Sequence, residues 1–213
     1  MILPHRTTAP RHAVLYFDFA DPASYIAAER IPRACRAAAT SLTLEPVSAS
    51  ALGVVPGRAA GATLDRARAL GVPLRAREPF DADACLRACL FVRDRSGQDA
   101  MAALAERFWH ALWRDGLDLA DAGAVVSAAQ GSGVPESVLR AALADPRTHD
   151  MLQRVTQRAA QRGVRQLPSV QIEDELFAGL ERVTAVEERL AGRERPDGDE
   201  PGGPGVPDWF FSG

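Results

Sequence analysis

Strand-forming sequence in this chain is confined to two separated stretches, and that placement constrains the fold more than any other feature. His12-Ala-Val-Leu-Tyr-Phe-Asp-Phe19 is a short apolar run rich in aromatic and β-favouring residues, the pattern of a buried strand. It runs directly into Ala-Asp-Pro-Ala-Ser24. There Asp21 is a good N-cap and Pro22 falls at the first helical position, which predicts a helix from about Pro22 to Ala38. Ser41-Leu-Thr-Leu-Glu-Pro-Val47 alternates like a second strand and completes a β-α-β unit. From about Ser48 to Gly163 the periodicity is helical and broken by Gly, Pro and Asp. Helices are predicted at Thr63–Leu70, Asp83–Arg93, Gln98–Arg114, Leu119–Ala129, Pro135–Ala144 and Arg147–Arg162, with no strand among them. Strand character returns at Gln166–Ile172, followed by the acidic turn Glu173-Asp-Glu175, the apolar pair Leu176-Phe177 and a helix from about Glu181 to Ala191. The predicted class is α/β, in the order β-α-β … β-β-α around a large all-helical insertion. Residues 12–48 and 163–191 form one unit and 49–162 the insertion. Residues 192–213 are expected to be a flexible tail, rich in Pro, Gly and charge over Arg193–Gly205. The ending Val206-Pro-Asp-Trp-Phe-Phe211 is apolar enough to dock on this chain or on a partner.

Composition removes several chemistries. All 25 basic residues are Arg, and the chain has neither Lys nor Asn. Schiff-base and Walker A chemistry both need a Lys, and N-glycosylation needs an Asn. The formal charge of −3, with Arg interspersed among Asp and Glu, offers no basic stripe over the whole chain, so no nucleic-acid partner is expected. The start carries no secretory signal pattern, and no apolar run approaches the roughly 20 residues of a membrane helix, so the expectation is a cytoplasmic protein without membrane contact. There Cys35, Cys85 and Cys89 are expected to be reduced. No Cys-x-x-Cys pair or metal-binding spacing occurs, and no metal is expected.

Four segments together carry a resemblance: Tyr16-Phe-Asp-Phe-Ala-Asp-Pro-Ala-Ser-Tyr25, the helical insertion, Gly163-Val-Arg-Gln-Leu-Pro-Ser169 and Leu176-Phe-Ala-Gly-Leu-Glu-Arg182. The chain resembles the DsbA-like branch of the thioredoxin superfamily, in particular 2-hydroxychromene-2-carboxylate isomerases and kappa-class glutathione transferases. The resemblance spans roughly Ala13 to Leu190 and implies a thioredoxin-like fold. It also implies a cis-proline at Leu167-Pro168 whose exposed backbone faces the active site, and it leaves a homodimer open. In that family the first motif reads Asp-Phe-x-Ser-Pro-x-Ser-Tyr, and its first Ser stabilises the thiolate of bound glutathione. Here that position is Asp21, whose carboxylate would repel a thiolate; the second Ser is retained as Ser24. The Asn and Lys that relatives use on glutathione do not exist in this chain. The Ser-Asp that holds the γ-glutamyl group is Leu180-Glu181. These departures disfavour glutathione, and no cofactor is expected.

An isomerase of this kind then needs another nucleophile or an acid–base group. Asp81-Ala-Asp-Ala-Cys-Leu-Arg-Ala-Cys89 opens a predicted helix capped by Asp81 or Asp83. That places Cys85 in the first turn or so, where the dipole favours thiolate, and Cys89 one turn deeper on the same face. The same spacing equally describes a core helix face. Asp21 has two readings, as an N-cap alone or as an acid, base or polar anchor as well. Ser24, Leu167, Pro168 and Glu181 are the candidate substrate contacts, and His110 has no sequence neighbour to pair with. The leading expectation is a glutathione-independent cis–trans isomerase of a conjugated unsaturated acid or polyene acyl chain, free or bound to a carrier protein, in a secondary-metabolite or aromatic pathway. A glutathione-dependent isomerase or transferase of the family's own type and a non-catalytic ligand- or partner-binding relative stand beside it.

Overall fold

A computed structural model of the protein describes residues 12–78, 80–119 and 121–192, so the expectations for the tail beyond Gly192 lie outside the described residues. Strand β1 (His12–Phe17), helix α1 (Pro22–Ala37) and strand β2 (Ser41–Pro46) form the opening β-α-β unit. The helical block follows: α2 (Ala62–Ala69), α3 (Asp83–Trp109), a π-helical turn (His110–Arg114), α4 (Ala122–Ala128), α5 (Glu136–Ala144) and α6 (Arg147–Gln161). Strands β3 (Ser169–Ile172) and β4 (Glu175–Ala178), a 3-10 turn (Leu180–Arg182) and α7 (Val183–Leu190) close the described chain. This is the α/β, thioredoxin-like order expected from the sequence, and the predicted ends hold to within a few residues.

The sheet has the order β2-β1-β3-β4. β1 pairs in parallel with β2 from His12↔Ser41 to Phe17↔Pro46, and antiparallel with β3 from Ala13↔Ile172 to Tyr16↔Ser169. Its continuous apolar run fits this central place, where Ala13 through Phe17 are all buried. Tyr16 and Phe17 are adjacent in a strand and so point to opposite faces. The Tyr16 hydroxyl accepts from Arg162, just past α6, at 3.1 Å, while the Phe17 ring meets Trp109 of α3 with centroids 4.6 Å apart.

Phe19 joins this aromatic group, edge-on to Phe17 at 5.2 Å and to Phe108 at 5.7 Å, so α3 is clamped onto the end of β1. Trp113, in the π-helical turn, donates its indole N–H to the Phe19 carbonyl at 2.9 Å. The helical block also grips β2, through Gln98 to the Leu44 carbonyl and the Arg93–Glu45 ion pair at 2.7 Å. α3 is interrupted at Gly97 (φ 86°, ψ 177°), a left-handed conformation that glycine alone adopts without strain, and it is here that the sequence divides two predicted helices. Among the described residues no helix is long and apolar enough to cross a membrane.

Candidate functional site

β1 ends at Phe17 and α1 begins at Pro22, and the four residues between them carry two carboxylates. Asp21 is the N-cap: its Oδ2 accepts from the Ser24 backbone N–H and from the Ser24 hydroxyl, both at 2.8 Å. Its Oδ1 accepts from Gly57 N–H at 3.4 Å, the longest of the three contacts. Asp18 turns the other way. Its Oδ1 accepts from Ala20 N–H at 2.8 Å and its Oδ2 from Ala49 N–H at 2.7 Å, which ties the segment after β2 to the end of β1. Ser24 joins the two acids, since its hydroxyl donates to Asp21 and accepts the Asp18 backbone N–H at 3.4 Å.

Both side chains are almost out of solvent, Asp18 at 5% exposure and Asp21 at 4%. Burial penalises the charged form, and for Asp18 it outweighs the N–H bonds from Ala49 and Ala20, so its pKa is pushed up to about 6; Asp21 and Asp83 add to the rise. Asp21 is also raised by burial, against the opposing hydrogen bonds from Ser24, Gly57 and Ala23. Asp83, at the start of α3, is raised by burial and by Asp81, and is eased by Arg87 and His149. The end of β1 is therefore a pair of desolvated carboxylates, each a stronger base than a free Asp.

The β1–β3 register places the start of β3 beside the end of β1, so Leu167 and Pro168 lie at the same end of the sheet as Asp18 and Asp21. The Leu167–Pro168 bond is cis, as the resemblance implies, and both residues are buried. The Pro168 carbonyl accepts from Gly179 N–H at 2.7 Å. Gly179 (φ 93°) has the Glu181 and Gln166 side chains where a Cβ would project, so Glu181 folds back toward the cis-proline loop from the exposed 3-10 turn ahead of α7.

The cysteines behave differently from the thiolate reading. Cys85 does enter in the first turn of α3, its N–H bonded to the Ala82 carbonyl, but its side chain is 1% exposed and that of Cys89 is fully buried. Burial pushes both thiols up rather than down, and for Cys85 the Asp18 and Asp81 charges add to it. A helix dipole cannot favour a thiolate whose surroundings are apolar and anionic. The cap also differs: Ala82 holds the N-cap position and Asp81 accepts from the Asp83 N–H at 2.8 Å, so neither Asp caps α3 from the N-cap itself. Cys35 is buried in α1, with its thiol raised to about 11 by burial. His110, without a sequence neighbour, meets Glu29 of α1 at 3.1 Å.

Sequence reasoning passed over Asp18. The signal was present, since an ionisable residue between Phe17 and Phe19 in an otherwise apolar run must be desolvated where that run is buried.

Comparison with known proteins agrees with this architecture. The DsbA-like thioredoxin domain matches residues 13–191. The chain is 25% identical to 2-hydroxychromene-2-carboxylate isomerase from Sphingobium xenophagum over 189 residues, 82% of this chain and 95% of that protein. A solved structure of 2-hydroxychromene-2-carboxylate isomerase is similar with a TM-score of 0.70 at 19% identity, over 84% of this chain and 94% of that one. The cytosolic disulfide reductase DsbM from Pseudomonas aeruginosa, solved with GSH, is similar at 0.61 and 15% identity, over 85% and 95% of the two chains. With an isomerase homologue along most of its length, and with the fold and domain match in agreement, the chain belongs to the DsbA-like thioredoxin domain family.

Proposed function

We propose that the protein is a cytoplasmic isomerase that interconverts cis and trans forms of a conjugated unsaturated acid or acyl thioester, without glutathione, with Asp21 as the base. The similarity to an isomerase supports the reaction class. The observation that carries the reading is the buried Asp21–Ser24–Asp18 arrangement at the N-terminus of α1, together with the burial of Cys35, Cys85 and Cys89.

The chemistry needs one proton position. Asp21 takes a proton from the saturated carbon that ends the conjugated system, the ε-carbon of a 2,4-dienoyl group, and the electron pair moves through the conjugated system onto the carbonyl oxygen. The former Cα–Cβ double bond is then single and rotates. Return of the proton from Asp21 to that same carbon restores the double bond with its geometry changed, so no atom or electron is gained or lost. A desolvated carboxylate with raised pKa is better matched to this abstraction than a free one. The positive end of the α1 dipole, beside Asp21, is available to stabilise the developing enolate charge. Ser24 is a positioning residue: its N–H and hydroxyl fix the Asp21 carboxylate, and its hydroxyl also accepts the Asp18 N–H. The long Gly57 contact is the one that a substrate displaces to reach Oδ1.

A panel of cis and trans dienoic acids and their pantetheine thioesters, followed by ultraviolet absorbance and NMR, tests this. Turnover is expected in the absence of any thiol and is expected to survive Cys85→Ala and Cys89→Ala. Dependence on added glutathione, loss of activity with the cysteines in a folded variant, or no turnover of any substrate would each overturn the reading.

A further inference from the structure

Away from the carboxylate pair, α6 and the first half of α3 form an arginine-rich face. A groove of about 470 Å³ runs between them, with Phe91, Met151 and Val155 in its lining. Arginines surround it. Arg147, Arg154 and Arg158 line it along α6 at intervals of seven and four residues, which keeps them on one stripe of the helix, and Arg162 continues the stripe just past α6, outside the groove. Arg93 and Arg95 face them from α3.

Some of these charges have structural work. Arg93 pairs with Glu45, Arg147 with Asp145 at 2.7 Å, Arg95 lies over the Phe91 ring at 4.4 Å, and Arg162 reaches the Tyr16 hydroxyl. Arg154 and Arg158 have no acidic partner among the described residues; the only bond between them runs from Arg158 Nε to the Arg154 carbonyl, at 3.4 Å. Like charges four residues apart on a helix repel, and Arg154 and Arg158 have no ion pair among the described residues to offset that repulsion. The chain as a whole carries −3, so this arginine cluster stands against a net acidic background and suits an acidic partner.

We propose that this groove docks an acidic protein, and that the protein is a carrier holding the acyl substrate as a thioester; the carrier half of this rests on the isomerase reading above, whereas the docking half does not. Asp94 and Asp145 among the arginines, together with the apolar floor, suit a folded protein surface with its own basic and apolar groups better than a uniform polyphosphate. The groove is also connected to the site. α3 begins beside Asp18 and lines the groove from Leu90 to Arg95, five to ten residues after Cys85 or about 7–15 Å along the helix, a span that a carrier's flexible thioester arm can cover.

The test uses the full chain and an acidic acyl carrier protein loaded with a dienoyl group, with association followed by fluorescence anisotropy. Saturable association is expected, weakened about ten-fold by Arg154→Glu with Arg158→Glu and unmoved by Arg36→Glu on α1. It should also weaken as salt is raised from about 50 mM to about 500 mM. No association, association indifferent to the charge reversal in a folded variant, or tighter binding of duplex DNA through the same arginines would overturn the proposal. Turnover of free dienoyl-pantetheine separates the two readings. If it proceeds while the carrier does not bind, the docking proposal falls and the isomerase reading stands. If neither free nor tethered substrate turns over while the carrier binds through Arg154 and Arg158, the isomerase reading falls and the docking stands.

Discussion

At the scale of single residues, the two carboxylates at the end of β1 do opposite things with similar burial. Asp21 caps α1, a role visible from its place before Pro22, whereas Asp18 is held by two backbone N–H groups from separate segments. The folded pKa of Asp18, about 6, lies above the ordinary 3.8. Its contribution to stability is therefore fully present below pH 3.8 and is lost as pH rises through about 6. The difference is about 3 kcal/mol for a group this deeply buried. Asp18→Asn removes the titration and keeps one acceptor. Urea unfolding at pH 4 and pH 7 is expected to show the variant gaining on the wild type by up to about 3 kcal/mol between the two; a constant difference would mean that Asp18 is not desolvated. The cysteines mark the limit of legibility at this scale. Spacing put Cys85 in the first turn of α3 correctly, but a first-turn residue can point to solvent or to the core, and only the packing of α3 against β1 decides which.

At the scale of elements, most of the fold could be read because each device acts locally. The apolar run of β1, the Asp21-Pro22 start of α1 and the Gly97 interruption each leave a signature within a few residues. Gly97 sits at φ 86° and ψ 177°, a region close to glycine-only, and a Cβ there would meet nothing within 4 Å. Gly97→Ala is accordingly expected to cost about 1–3 kcal/mol through backbone strain alone, measured as a fall in unfolding free energy with no change in the aromatic cluster's near-ultraviolet dichroism. A neutral substitution would show that α3 can straighten through this position. What could not be read were the pairings between distant elements. His110 finds Glu29, Tyr16 finds Arg162, and Ser48 N–H finds Thr156 Oγ1 at 3.0 Å. Such contacts depend on how the helical block lies on the sheet, and no local pattern encodes that.

At the scale of the whole molecule, the sheet gathers at one end the parts that the resemblance had named separately: the β1–α1 junction, the cis-proline loop and the turn carrying Glu181. Asp21 and Asp18 place two buried carboxylates at that end, in a chain that has neither Lys nor Asn. In the proposed reaction the Asp21 carboxylate is the base. This is tested most directly by the pH dependence of kcat/KM for a dienoyl thioester, in wild type and in Asp21→Asn, which keeps a capping side chain. The rate is expected to rise with pH as the Asp21 carboxylate ionises above the ordinary 3.8, and to fall by about 10²–10⁴-fold at the plateau in the variant. An Asp21→Asn protein that matches the wild-type rate across the same range would contradict it.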